Sequence, residues 1–151
     1  MALGEDLKLV YRTELGQAYQ GDARRLLESD QAIKPGSVDL IFTSPPFALT
    51  LPKDYGNKTQ QEYVQWFEAF VPGFLRSLAP GGSLVIDIGG SWLRGTPRRS
   101  TYHFELAIML GHHLELCQEL YWYNPARLPS PAEWVNRRRV RVKDSVDLVL
   151  W

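Results

Sequence analysis

A chain of 151 residues, 44% of them hydrophobic and 23% charged, has the size and composition of one folded globular domain. No apolar run approaches the length of a membrane span, and the first residues lack the basic and apolar regions of a secretory signal peptide. The single cysteine, Cys117, excludes an internal disulfide and fits a reducing cytoplasm, and we expect it to lie in the core.

Charge is distributed unevenly along the chain, although the formal net charge is zero. Residues 94–143 carry nine Lys and Arg against four Asp and Glu, whereas residues 1–93 carry eight against eleven. Arginine dominates the basic block, and its guanidinium group suits contact with phosphates and base edges. The block is therefore either a nucleic-acid surface or a solvated basic face.

The first predicted elements, in chain order, are one or two short strands within VYRTELGQAYQGD and a short helix, ARRLLESD. SVDLIFT follows, and its nearly continuous apolar centre predicts a strand that is covered on both faces. Pro35 and Gly36 provide the turn before that strand.

The next helix has the clearest local pattern. Thr59 and Glu62 have the spacing of a capping box, and apolar residues at 63–78 recur at helical intervals. Pro72 should kink or break this helix, and the Pro-Gly-Gly at 80–82 should end it. We interpret the aromatic stripe along the helix as a core face.

The second half of the chain continues the alternation of strands and helices. SLVIDIGG predicts a buried strand, residues from about 102 to 117 a helix, and LELCQELYWYN and SVDLVLW two further strands. Strands that alternate with helices predict an α/β fold with a mainly parallel sheet and helices on both faces. No repeat or low-complexity linker divides the chain, so residues 1–151 are predicted to belong to one domain.

The segment TSPPF follows the SVDLIFT strand, at the end of a strand where open α/β sheets bind ligands. Pro45 and Pro46 fix φ and remove two N–H donors, so backbone carbonyls can project from a stiff turn. Ser44 adds a hydroxyl group and Phe47 adds a flat ring. Such an elbow suits a planar aromatic ring that bears an amino group, whereas a bare Pro-Pro turn would only close the strand.

With its flanking segments, this elbow resembles the DNA amino-methyltransferases, which use S-adenosylmethionine to methylate the exocyclic nitrogen of cytosine or adenine. SPP followed by an aromatic residue is typical of the N4-cytosine enzymes, whereas the N6-adenine enzymes more often have Asp in place of Ser44. GDARRLL, LAPGGSLVIDIGG and YWYNPARLPSPAEWVNRRRVRVKDSVDLVLW resemble further family segments. The resemblance covers about Tyr11 to Trp151, follows the motif order of the permuted β class, and is closest to type II restriction–modification enzymes that modify CAGCTG.

The resemblance implies a partial Rossmann-like methyltransferase fold and methyl transfer to N4 of a cytosine flipped out of double-stranded DNA, which would protect that DNA from a partner endonuclease. Ser44 Oγ and the Pro45 carbonyl would accept the protons of the amine, on a turn stiffened by Pro46. Phe47 would stack on the base. No covalent intermediate is required, because the methyl donor is a sulfonium.

Other roles are implied outside the elbow. Asp22, with Ala23, would contact the adenine of S-adenosylmethionine, and Asp22 would also serve as a helix N-cap. The second wall for the base would be Trp122 or Tyr123, unless both are core aromatics. The candidate DNA contacts are five arginines in the basic block: Arg98, Arg99, Arg137, Arg138 and Arg139.

The polar loop LPKDYGNKT, after the elbow, could close over the base. The three histidines, at 103, 112 and 113, show no metal-ligand spacing, so we expect them to be structural or exposed and expect no metal site.

The chain lacks an F-x-G-x-G loop of the type that holds the methionine end of the cofactor in this family. We therefore expect the N-terminal catalytic half of a methyltransferase, with weak or no activity alone, whose missing loop belongs to a longer gene product or to a second polypeptide. The alternatives are N6-adenine methylation, methylation of an RNA or protein amine, and an inactive DNA-binding remnant or subunit of a split enzyme.

Overall fold

The computed structural model describes residues 7–48, 57–129 and 131–151, and alternates strands with helices as the sequence predicts. None of the described helices is long and apolar enough to cross a membrane. The elements in chain order are β1 (Leu7–Arg12), β2 (Gln17–Gly21), α1 (Ala23–Glu28), β3 (Val38–Thr43), α2 (Tyr63–Glu68), α3 (Val71–Ser77), β4 (Leu78–Ile88), α4 (Tyr102–Leu110), β5 (Glu119–Tyr123), a short π-helix (Glu133–Arg137) and β6 (Val146–Leu150).

The described strands form two sheets. β1 and β2 are an antiparallel pair, and the other sheet has the order β3-β4-β6-β5. β6 runs antiparallel to both β4 and β5, so these strand pairs differ from the mainly parallel sheet that the sequence predicted. The α/β class is confirmed. In the described part of the chain β3 is an edge strand on which Leu40 and Phe42 are 57% and 66% exposed, so the expectation that it is covered on both faces was wrong. An apolar pattern shows that a strand can be buried, but it does not show which other elements pack against that strand.

The predicted break near Pro72 is confirmed, since α2 ends at Glu68 and α3 begins at Val71. Pro72 lies in the first turn of α3, where its missing N–H removes no helical hydrogen bond. The capping box also forms: the backbone N–H of Glu62 donates to Thr59 Oγ1 and the backbone N–H of Thr59 donates to Glu62 Oε2, both at 3.3 Å.

Two helix ends differ from the sequence prediction. The helix before β4 ends at Ser77, so Pro80, Gly81 and Gly82 belong to β4, because the backbone is already extended at Leu78. The helix predicted over 102–117 ends at Leu110, with Gly111 as its C-cap. Cys117 is exposed rather than in the core, and its backbone N–H bonds to the carbonyl of Trp151 at 2.7 Å.

The chain divides into two compact units, and the first comprises the part up to Ile41 together with Ala69–Leu84. In this unit α1 packs on α3, where a Cβ at Gly73 would lie 2.7 Å from Leu27 Cβ. Arg76 donates to the carbonyls of Leu27 at 2.6 Å and Ile33 at 2.9 Å. These charge-assisted hydrogen bonds hold the loop after α1 against α3.

The second unit comprises Phe42–Glu68 and Val85–Trp151. Its core joins α2, α4 and one face of β4 and β6, and the rings of Tyr63 and Tyr102 lie 4.6 Å apart between the two helices. The aromatic stripe is a core face as predicted, although Leu75, which belongs to the first unit, is 43% exposed. The buried residues of the second unit include Tyr63, Phe67, Ile86, Ile88, Tyr102, Leu106, Leu148 and Leu150.

Candidate active site

The elbow, residues 44–47, begins directly after β3, and its residues differ in exposure. Ser44 and Pro46 are exposed, Pro45 and Ala48 are buried, and Phe47 is half-buried. The two prolines remove the N–H donors that would otherwise compete for the neighbouring carbonyls. The elbow therefore presents the Ser44 hydroxyl to solvent on a turn that is anchored on either side.

Ser44 has a charged partner on β4. Its Oγ donates to Asp87 Oδ2 at 3.1 Å, across 43 residues of sequence. Since the hydroxyl proton is directed at the carboxylate, the lone pairs of Ser44 Oγ remain available to accept a proton from a ligand. The pair therefore converts an ordinary serine into an oriented acceptor.

Asp87 lies in an environment that disfavours its charge. Burial raises its pKa, the nearby carboxylate of Asp147 raises it further, and the hydrogen bond from Ser44 and the charge of Arg127 lower it. Asp87 Oδ1 is buried and has no hydrogen-bond partner in the described residues. The carboxyl group is therefore a better proton acceptor than an exposed aspartate.

An ion pair joins the loop after β5 to β6. Arg127 Nη2 contacts both carboxylate oxygens of Asp147, at 2.7 and 2.6 Å, and Asp147 is only 5% exposed. The same guanidinium group donates through Nη1 to the carbonyl of Val146 at 3.3 Å. The buried charge of Asp147 is thus paired, which leaves Asp87 as the carboxylate with an unpartnered oxygen atom in this neighbourhood of the described structure.

Phe47 packs directly on the end of β4. A Cβ at Gly89 would lie 2.6 Å from Phe47 Cε2 and 2.7 Å from Asp147 Oδ1. No side chain fits in that space without moving the ring or the carboxylate. Glycine at this position therefore sets the position of the Phe47 ring.

We expect Gly89→Ala to displace Phe47 and to lower the free energy of unfolding by about 1–3 kcal/mol, the usual cost of overpacking. Chemical denaturation measures the free energy, and the ring-proton chemical shifts of Phe47 report its displacement. Gly16→Ala is the control, because nothing lies within 4 Å of a Cβ at Gly16. Equal stability of the two variants would contradict the close packing of Phe47 on Gly89.

Strand register separates the two candidate stacking aromatics. Trp122 pairs with Asp147 and Tyr123 with Val146, while Asp87 pairs with Val149. Because alternate residues share a face, Trp122 lies on the same face of the sheet as Asp87, and Tyr123 lies on the opposite face. At 55% and 62% exposed, neither ring is a core residue, which removes that alternative.

Asp22 caps α1, as one of its two expected roles requires. Its Oδ1 accepts from the backbone N–H of Arg24 at 2.9 Å, and Oδ2 pairs with Arg24 Nη2 at 2.7 Å. These contacts lower the pKa of the carboxyl group, chiefly through the hydrogen bond with the Arg24 side chain. Ala23 is the first residue of the helix.

The five candidate arginines differ in their partners. Arg99 pairs with Asp144, and Arg137 and Arg138 both pair with Glu133. The side chains of Arg98 and Arg139 have no hydrogen bond or ion pair with any described residue. The backbone of Arg139 lies in the left-handed region, at φ 54°.

Part of the polar loop after the elbow, residues 51–56, lies outside the described residues. At its far end Asn57 Nδ2 donates to the carbonyl of Phe47 at 2.6 Å. His103 is buried and His112 and His113 are exposed, as expected. Within the described ranges no group of three or more His, Cys, Asp or Glu is arranged to hold a metal ion.

Sequence reasoning missed three residues that the structure brings near the elbow: Asp87, Arg127 and Asp147. The sequence did contain an indication that the two aspartates are functional. Asp87 interrupts the apolar run of VIDI near the end of a strand, and Asp147 does the same in VDLVL. An acid inside an otherwise apolar strand is rarely buried without a partner or a role.

Comparisons with known proteins agree with this geometry. Residues 38–151 match a protein-family description that reads "DNA methylase". The chain is 46% identical, over 95% of its length, to the type II methyltransferase M.PvuII of Proteus hauseri, and spans 43% of that protein. It is 34% identical, over 54% of its length, to the type II methyltransferase M.BamHI of Bacillus amyloliquefaciens, of which it spans 19%.

Solved structures are similar as well. The PvuII DNA methyltransferase (cytosine-N4-specific) superposes with a TM-score of 0.83 at 45% identity, over 98% of this chain and 51% of that one. A putative DNA modification methylase of Thermus thermophilus, solved with S-adenosyl-L-methionine, has a TM-score of 0.60 at 23% identity, over 86% of this chain and 49% of that one. At that identity the second likeness shows the fold alone.

Proposed function

The chain belongs to the DNA methylase family, and from that premise we propose that it is the catalytic part of a methyltransferase that modifies N4 of a flipped-out cytosine in duplex DNA. One observation carries the proposal, the hydrogen bond from Ser44 to Asp87 on an S-P-P-F elbow. Methylation at such a site would protect DNA from a partner restriction endonuclease. A cytoplasmic location is part of this proposal.

The chemistry begins with a weak nucleophile. The lone pair of an exocyclic amine is delocalised into the base, so the nitrogen reacts only when its protons are drawn out of the ring plane. Ser44 Oγ, whose own proton is directed at Asp87, and the Pro45 carbonyl are the acceptors that this role requires. They would stabilise the positive charge that develops on nitrogen, as preorganised dipoles do in other active sites.

The same pair offers a route for the proton that the methylated nitrogen must lose. As the N–H bond breaks, Ser44 Oγ accepts that proton, and the original hydroxyl proton of Ser44 passes to Asp87 Oδ2. Asp87 ends as a neutral carboxyl group, which its buried surroundings favour. No metal ion or covalent enzyme intermediate enters this route.

The cofactor, S-adenosylmethionine, supplies the methyl group from a sulfonium. Asp22 would accept a hydrogen bond from its adenine amino group, beside the backbone of Ala23. The residue fits this role because its carboxylate is 39% exposed. Two of the four hydrogen bonds that it accepts from Arg24 are long, at 3.3 Å, and an adenine amino group could replace either of them. The N-cap contact holds the carboxylate in place at the same time.

For the second wall of the base pocket we favour Trp122 over Tyr123, because only Trp122 shares the face of Asp87. Trp122→Ala should weaken binding of a duplex with an unpaired target base by about 1–3 kcal/mol, the value of one stacking contact. Tyr123→Ala is the matched control and should change binding little. The fluorescence of 2-aminopurine at the target position measures the extruded base. A larger loss for Tyr123→Ala would reverse the assignment.

For the DNA phosphates we favour Arg98 and Arg139, whose side chains no described residue engages. The double variant R98A/R139A should reduce the slope of log affinity against log salt by about 2, since each phosphate contact contributes about 0.9. Arg25→Ala, which removes an exposed charge next to Glu28, is the control and should leave the slope unchanged. If the salt dependence of binding is unchanged in R98A/R139A as well as in Arg25→Ala, the DNA phosphates do not contact Arg98 and Arg139.

We further propose that full activity needs a segment with a glycine-rich loop for the methionine end of the cofactor, supplied by the same gene product or by a second polypeptide. The chain spans about half the length of its solved relative. The exposed apolar residues of the edge strand β3, Leu40 and Phe42, would be covered by such a segment.

The test is methyl transfer from labelled S-adenosylmethionine to a duplex that contains CAGCTG. The chain is assayed alone and after coexpression with the C-terminal part of M.PvuII. The complex of these two polypeptides is called the reconstituted enzyme below. Label recovered as N4-methylcytosine is the expected result, and N6-methyladenine would move the proposal to the adenine enzymes. The two halves of M.PvuII serve as the positive control. No label from either preparation, with that control active, would contradict the proposed function.

A further inference from the structure

Ala48, the residue after the elbow, is held at both of its backbone polar groups. Its N–H donates to the phenol oxygen of Tyr102 at 3.4 Å, and its carbonyl accepts from Ser91 Oγ. Tyr102 in turn donates to the carbonyl of Gly89. All four residues are buried, and Ala48 is fully buried.

These contacts join two segments that already meet at the reacting end. Segment 44–48 and segment 87–91 are tied at one end by Ser44 and Asp87, and at the other by the phenol of Tyr102. The spacing between the segments at the Tyr102 end constrains the spacing at the Ser44 end, because Pro45 and Pro46 stiffen the chain between them.

Ser91 is itself locked in place. Its N–H donates to Ser100 Oγ at 3.1 Å, and Ser100 Oγ donates back to the Ser91 carbonyl at 3.0 Å. Gln60 Nε2 donates to Ser91 Oγ at 2.7 Å, so the Ser91 hydroxyl can direct its proton at Ala48. Both contacts to Ala48 therefore come from side chains whose positions are fixed by packing or hydrogen bonding.

We propose that Tyr102 is a positioning residue of the active site, which sets the Ser44–Asp87 contact by fastening Ala48 to Gly89. This inference rests on the proposed function for its catalytic consequence only. The phenol touches no reacting atom. Burial raises its pKa to about 12, so it remains protonated and can donate to the Gly89 carbonyl at physiological pH.

Tyr102→Phe removes the phenol oxygen and keeps the ring, and Tyr63→Phe is the matched control. Tyr63 is equally buried and packs against Tyr102, but its hydroxyl has no hydrogen-bond partner in the described part of the chain. The first measurement needs no activity. The titration of Asp87 is followed by carboxyl-carbon NMR in the 151-residue chain and in both variants.

Asp87 should titrate at higher pH in Tyr102→Phe, because a loosened Ser44 hydrogen bond no longer lowers its pKa, and it should be unchanged in Tyr63→Phe. The other groups that act on Asp87 are Asp147 and Arg127, and neither substitution touches them. An unchanged Asp87 titration in a folded Tyr102→Phe protein would overturn the inference. If that variant fails to fold, Ser91→Ala releases Ala48 from the other side and should shift Asp87 in the same direction.

In the reconstituted enzyme Tyr102→Phe should lower kcat by about tenfold to a hundredfold with little change in KM for DNA, as expected for a misplaced catalytic group. Tyr63→Phe should keep the kcat of the parent. An inactive parent would contradict the proposed function and would leave the Asp87 titration to decide the role of Tyr102. A rise in KM with kcat unchanged would instead make Tyr102 part of the DNA-binding surface and would contradict its positioning role.

Discussion

Ser44→Ala should lower kcat of the reconstituted enzyme by about 10²- to 10³-fold, the usual effect of removing one preorganised group that stabilises charge in a transition state. The hydroxyl is the elbow's link to Asp87, at 3.1 Å, and alanine removes both the acceptor for the amine proton and the route to the carboxylate. Steady-state methylation of a CAGCTG duplex measures the effect. Because Ser44 is exposed, we expect the thermal unfolding midpoint to change little.

Ser44→Thr is the control, because it keeps a hydroxyl group at the same position. It should retain more activity than Ser44→Ala at equal stability. If Ser44→Ala and Ser44→Thr methylate DNA at the parental rate, Ser44 is not the acceptor, and the Pro45 carbonyl would have to act alone.

Asp87→Asn should have opposite effects on activity and stability. We expect kcat to fall about 10²-fold or more, since the amide cannot take up the proton relayed by Ser44. Stability should rise, because burial disfavours the charged form of this carboxyl group and the neutral amide carries no charge. Because the side chain of Asp87 is only partly buried, we expect a small rise in the melting temperature.

The pH dependence gives a second test of the same substitution. A carboxyl group with a raised folded-state pKa favours folding when protonated, and this contribution is lost as pH rises through the folded-state pKa. The stability advantage of Asp87→Asn should therefore be full at neutral pH and disappear below the ordinary pKa of aspartate. Melting temperatures across the acidic range measure this difference. An advantage that does not depend on pH would show that the charge of Asp87 is not its cause.

The carboxyl group of Asp87 also determines how activity should fall as the pH is lowered. As the proton acceptor, Asp87 must be ionised, and its raised pKa places the loss of activity at higher pH than an exposed aspartate would. The contact of Tyr102 with Ala48 affects the pKa of Asp87 because it positions Ser44, whose hydrogen bond lowers that pKa. The titration of Asp87 therefore tests the positioning role of Tyr102 directly.

Features that depend on a few neighbouring residues could be predicted from the sequence. The Thr59–Glu62 capping box, the Asp22 N-cap and the break near Pro72 each involve residues within four positions of one another. The S-P-P-F elbow also followed a strand as its apolar pattern predicted. Hydrogen bonds and steric restrictions within one turn are properties of the local chain, so a single sequence reveals them.

Predictions that required knowledge of distant neighbours were less complete. Cys117 was expected in the core and is exposed, and β3 was expected to be covered on both faces, although Leu40 and Phe42 are exposed. The partner of Arg99, which is Asp144, was also beyond the sequence pattern because the two residues are far apart in the sequence. The composition of a segment shows what it can bury or bind, but its exposure depends on which elements reach it.

By itself, the sequence determined the α/β class, the family, and the elbow with Ser44 and Phe47 as its chemical groups. Only the tertiary structure decided three further points. Asp87 is the partner of Ser44, and Trp122 rather than Tyr123 lies on the same face of the sheet as Asp87. The phenol of Tyr102 joins Ala48 to Gly89. The physical reason is sequence separation. Ser44 and Asp87 are 43 residues apart, and such pairs meet only through strand register and packing, which no local pattern specifies.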